Sequence, residues 1–181
     1  MKNPTKPSWV SIKVQLSALD RAGLLGLVQD LYAASKSNQA FLHARFGVGN
    51  DVLKPYKSVI DTCVWPDGFK NQTVSVSKAK KAISDYKKAI GRPEGVAELM
   101  VFYCERAAGF CDDIGLEDDA FFAALVRMYE QALKSVAALP DDERDAFITR
   151  LDAVRSVCVN FGYGISDDMD ALFADHISHD G

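Results

Sequence analysis

A chain of 181 residues, 48% hydrophobic and 25% charged, is long enough to bury a sizeable core without disulfide or metal staples. No apolar run approaches the ~20 residues that span a bilayer, so no membrane association is expected. The net charge of −4 conceals a division at Pro93: residues 1–92 carry 15 Lys and Arg against 6 Asp and Glu, and residues 93–181 carry 6 against 19. Opposed fields of this kind steer partners of either sign but identify none.

The N-terminal stretch has Pro4 and Pro7 but no continuous apolar segment of a signal peptide, so the cytoplasm is the expected location. Trp9, Ile12, Leu16 and Leu19 then predict a short helix. Asp20 caps the next, whose apolar face carries Leu24, Leu27, Val28 and Leu31, widened by Leu25 and Tyr32. Phe41, Leu42 and Phe46 mark a third helix, stopped at Gly47 and Gly49. Asn50 or Asp51 caps a fourth, with Leu53, Tyr56, Val59, Ile60 and Cys63 on it and Pro55 in its first turns. Pro66, Asp67, Gly68 and Asn71 favour turns, and any strand should lie between Trp65 and Val76.

Ser77 is the expected cap of a helix reaching Ile90, ended by Gly91 and Pro93. The segment from Pro93 to Ile114 is the most apolar, and a face holding Leu99, Met100, Phe102, Tyr103 and Phe110 predicts a central helix covered on two sides. Asp118 to Ala138, Asp141 to Phe161 and Ser166 to Ile177 complete the helices. Each begins with carboxylates, which meet free N–H groups and the positive end of the helix dipole. Short connections at Gly115 to Glu117, at Leu139 and Pro140, and at Gly162 to Ile165 force antiparallel neighbours. The expected fold is therefore all-α: an irregular multi-helix bundle of antiparallel helical hairpins, with solenoid-like stacking open to the C-terminal half. One helical domain over residues 1–181 would have a basic half, 1–92, and an acidic half, 93–181.

The runs SKAKKAISDYKKA at Ser77 to Ala89, VAELMVFYCE at Val96 to Glu105, MYEQALK at Met128 to Lys134 and LVQDLY at Leu27 to Tyr32 carry a resemblance. The chain resembles a bacterial domain-of-unknown-function family, domain of unknown function 6155, over nearly its whole length. That resemblance implies a helical, cytoplasmic, prokaryotic protein and transfers no site.

The most pointed chemistry lies between Ser77 and Ile90. At 100° per residue Lys80, Lys81, Lys87 and Lys88 share a stripe about 120° wide, with Lys78 at its margin and Ala79, Ala82, Ile83, Tyr86 and Ile90 opposite. Such a ridge suits an anionic partner: an acidic protein face, or nucleic-acid phosphates reached with Lys70. The stripe lacks arginine and interleaved aromatics, which base and single-strand readers use. Asp112, Asp113, Glu117, Asp118 and Asp119 flank a turn but depart from calcium-loop spacing, so capping is the expected role. His176 and His179 sit three apart with Asp175 and Asp180, on a terminus poorly suited to fixing metal geometry. Cys63, Cys104, Cys111 and Cys158 form no C-x-x-C pair and read as core thiols.

No nucleophile elbow, P-loop or dinucleotide fingerprint is present, so no catalytic, metal or cofactor-binding residue is assigned. The expected function is a non-enzymatic helical protein–protein interaction module, with a protein partner or self-association of the oppositely charged halves. Two alternatives stand beside it: a nucleic-acid or phosphate binder using the ridge, and an enzyme whose site forms only in the fold. In the last case acids should converge on Tyr103, Glu105 or His43.

Overall fold

Helix-forming signals dominate, and in the computed structural model every regular element is a helix. The structure describes residues 7–49, 51–68, 73–162 and 164–177, and no strand forms among them. The helices are α1 (Trp9–Ser17), α2 (Arg21–Ala34), α3 (Lys36–Phe46), α4 (Lys54–Val64), α5 (Val76–Ala89), α6 (Pro93–Ile114), α7 (Asp119–Ala137), α8 (Asp141–Cys158) and α9 (Ile165–Ile177).

Side-chain caps start several helices as expected. The Asp20 carboxylate accepts from the Gly23 N–H at 2.7 Å, and Asp118 accepts from Phe121 at 2.7 Å. Two expected caps differ. Helix α5 starts two residues earlier, with Ser75 in place of Ser77 at the cap position and no side-chain cap bond. Asp51 accepts from the N–H groups of both Leu53 and Lys54, forming the turn before α4 instead of capping it directly; Asn50 lies outside the described residues. Gly115, at φ 60°, and Gly47, at φ 64°, end α6 and α3 in the left-handed conformation that a side chain would strain.

Helix α6 is central. Eleven of its residues are buried, Leu99, Val101, Tyr103 and Cys104 completely, and it packs on α4, α5, α7 and α8. Each buried Leu, Val or Phe removes apolar surface from water, worth about 1.5–3 kcal/mol apiece. Helix α6 contacts α8 about as extensively as its sequence neighbour α7, and α7 contacts α9. With α4 against the other flank of α6, helices α4, α6 and α8 form one row and α7 and α9 a second. This alternation is that of stacked helical hairpins, so the C-terminal half is solenoid-like in its packing.

Ion pairs staple the first row. Arg150 of α8 donates to Glu98 and Glu105 of α6 through four hydrogen bonds of 2.5–3.2 Å, and Lys57 of α4 reaches Glu98 at 2.6 Å. Burial raises the Glu98 carboxyl, but hydrogen bonds from Arg150 and Lys57 outweigh it and hold the group below its ordinary value. Farther along, Arg106 donates to Asp61 at 2.5 Å and stacks over Trp65 at 4.1 Å, tying α6 to the end of α4.

The first two helices depart from this pattern. Among the described residues α1 makes no extensive helix contact, α2 makes its one extensive contact with α3, and neither has a buried residue. The apolar face of α2 is thus left in solvent. No described helix is long and apolar enough to cross a membrane.

Candidate functional site

Only part of the lysine stripe of α5 borders a groove. Buried Ala79, Ala82, Ile83 and Tyr86 dock α5 against its neighbours, and the exposed half of the helix divides into two flanks. Lys78, Lys81 and Lys88 line a groove of about 650 Å³ whose other walls are α3 and α4, while Lys80 and Lys87 lie outside it. Lys36, at the start of α3, joins the groove from the opposite side, a contribution that spacing along α5 could not reveal. Lys70 and His179 lie outside the described residues.

The groove combines two chemistries. Phe41, Pro55 and Val59 line its apolar part, with Phe41 40% and Val59 45% exposed, although both are large apolar side chains on packed helices. Four ammonium groups and a single carboxylate, Asp85, surround them. Lys81 donates to Asp85 at 2.5 Å, and the i,i+4 pairing spends one of the four cations. Lys36, Lys78 and Lys88 have no ion-pair partner among the described residues. Tyr56 forms part of the wall: its hydroxyl donates to the Ala40 carbonyl at 3.4 Å, its ring packs edge-on against Tyr86, and burial raises its phenol.

Of the side chains named for a site assembled in the fold, Tyr103 and Glu105 lie on α6 and His43 on α3. His43 accepts from or donates to the Tyr32 hydroxyl at 2.9 Å and joins α3 to α2. Glu105 is engaged by Arg150. Tyr103 is fully buried, its hydroxyl has no hydrogen-bond partner among the described residues, and burial raises its phenol far above the usual range. Cys104, Cys111 and Cys158 are buried, Cys111 and Cys158 pushed up to about 12 by burial, so these thiols are poor nucleophiles. His176 bonds through Nδ1 to the Leu172 carbonyl one turn back. Among the described residues no group of three or more His, Cys, Asp or Glu side chains is placed to hold a metal ion. Asp118 caps α7 and Asp119 sits in its first turn, the structural role expected of acids there.

No protein-family model matches the chain, and no curated protein and no solved structure matches it.

Proposed function

We propose that the chain is a non-enzymatic helical protein–protein interaction module, residing in the cytoplasm, whose α3–α4–α5 groove receives an acidic amphipathic helix of a partner protein. The observation that carries this reading is the exposed apolar strip of Phe41, Pro55 and Val59 beside the unpaired Lys36, Lys78 and Lys88. An amphipathic helix presents the complement: apolar side chains at i, i+3 and i+4 for the strip and flanking carboxylates for the lysines. Nucleic acid is the weaker fit. Phosphates would use the lysines but leave the apolar strip uncovered, and the groove offers no arginine fork.

Fluorescence anisotropy with a set of acidic amphipathic helical peptides, and with duplex and single-stranded DNA, tests the reading at about 50 mM salt. The combined change Lys78→Glu, Lys81→Glu, Lys88→Glu should weaken peptide binding at least about tenfold, or 1.4 kcal/mol. Phe41→Asp should weaken it comparably. DNA binding that is steeply salt-dependent and indifferent to Phe41→Asp would replace the protein reading with the nucleic-acid one.

A further inference from the structure

Helices α1 and α2 pose a physical problem that the rest of the fold does not solve. They have 9 and 14 residues, and isolated helices of that length are marginal in water. Packing must sustain them, yet among the described residues α1 has no extensive neighbour and α2 has extensive contact only with α3. Their apolar side chains stand in solvent, with Trp9 68%, Val10 71%, Leu25 60% and Leu31 50% exposed. Summed over both helices, the exposed large apolar residues of this arm present on the order of 1,000 Å² of surface.

We infer that the α1–α2 arm is a homodimerisation element, packing against the same arm of a second copy to complete a four-helix bundle. Two observations select this occupant. The exposed apolar area, summed over the arm, is of the same order as the ~800 Å² that each partner contributes to a standard stable interface. The charges are also balanced: between Ser8 and Ala34 the chain carries Lys13 and Arg21 against Asp20 and Asp30. A neutral, apolar surface offers little to an anionic membrane or a nucleic acid, and it meets its own copy without the like-charge repulsion that either charged half of this chain would create. Such a contact is isologous, each arm giving and receiving the same side chains about a two-fold axis. On α2, Leu24, Leu27, Val28 and Leu31 recur at three and four and form the strip the second arm would cover.

This association is distinct from the head-to-tail attraction that oppositely charged halves suggest. Apolar burial should survive about 1 M salt, where the Debye length is ~3 Å, whereas attraction between the charged halves should not. It also uses a different surface from the α3–α4–α5 groove, so the two readings can fail separately.

Sedimentation equilibrium on the full chain is the test. At micromolar concentration the wild type should be dimeric at both low and about 1 M salt, with Trp9 emission moving to the blue as concentration rises. Leu24→Asp combined with Leu31→Asp should weaken the dimer at least about 100-fold. Both side chains are exposed in the single chain, so the core melting transition should persist. Val10→Asp, on the other helix, should weaken the dimer in the same direction. The groove variant Lys78→Glu, Lys81→Glu, Lys88→Glu should leave it intact. A wild type that stays monomeric, a dimer lost at high salt, or a dimer unaffected by the α2 and α1 changes would overturn the inference. So would a monomer that binds vesicles of phosphatidylcholine, alone or with phosphatidylserine, because the arm would then be a lipid-facing element.

Discussion

Replacing Arg150 by Met removes the centre of the α4–α6–α8 staple while keeping a long side chain against Phe147, over which the guanidinium sits at 5.6 Å. Four charge-assisted hydrogen bonds are lost, two to Glu98 and two to Glu105. Their consequences differ. Glu98 keeps Lys57 at 2.6 Å, whereas Glu105 loses its only ion-pair partner among the described residues. Hydrogen bonds to charged groups contribute about 1.5–3 kcal/mol each in isolation, but the four share one guanidinium and are not additive. With the Arg150 and Glu105 side chains each about a third exposed, water recovers part of the loss. The expected destabilisation is therefore about 2–4 kcal/mol at pH 7. For a chain of this length that lowers Tm by roughly 5–15 °C, measurable by calorimetry alongside urea unfolding.

Two features distinguish this account from simple loss of packing. Adding Glu105→Gln to the Arg150→Met variant should recover much of the loss, because the uncompensated carboxylate is removed. The pH dependence follows from Glu98, whose folded-state value is held below its unfolded one. Its contribution is fully present above the unfolded value near 4.5 and disappears as pH falls through the folded value. The stability gap between wild type and Arg150→Met should thus be level from about pH 7 to 5 and narrow at lower pH. A loss below about 0.5 kcal/mol, or a gap that stays constant through acid, would refute the reasoning.

Gly95→Ala should destabilise by about 1–3 kcal/mol, since a Cβ there would lie 2.0 Å from the Tyr86 hydroxyl and 2.6 Å from its Cζ, against a ring that is 2% exposed. Tyr86→Phe should relieve this only in part, because ring carbons at 2.6 and 2.8 Å remain; a neutral Gly95→Ala in urea unfolding would show that α5 and α6 separate more easily than their packing indicates. A thiol reagent near pH 8 should modify half-buried Cys63 first and leave Cys104, Cys111 and Cys158 protected until denaturant is added, whereas equal native rates for all four would contradict their burial. Reversing the groove lysines and placing aspartates on α2 should produce separate losses, the first in acidic-peptide binding and the second in dimerisation.

Much of the secondary structure is legible in the residues because its causes are local. Asp20 and Asp118 cap the helices they precede, Gly47 and Gly115 end theirs, and the short connections at Gly115 and Pro140 make antiparallel neighbours. The centrality of α6 also follows from a one-dimensional cause, an apolar face too wide for a single neighbour to cover. The groove was only half legible. Angular position on α5 identifies Lys78, Lys80, Lys81, Lys87 and Lys88 as outward-facing, but which of them share a wall depends on where α3 and α4 dock. Lys36 and Phe41 enter from an element remote in sequence, with no periodic signal to announce it.

The largest departure concerns α1 and α2. Periodicity marks Leu24, Leu27, Val28 and Leu31 as one face of a helix, and that face exists; it does not say whether the covering surface belongs to the same chain. Local propensity, capping and turn chemistry act over a few residues, so the chain by itself determined its helices and several of their ends, though not the starts of α4 and α5. Docking depends on surfaces brought together from distant parts of the chain. Only the tertiary structure decided that α6 takes α4, α5, α7 and α8 around it, that three of the five lysines meet Lys36 across an apolar strip, and that the first two helices bury no side chain among the described residues.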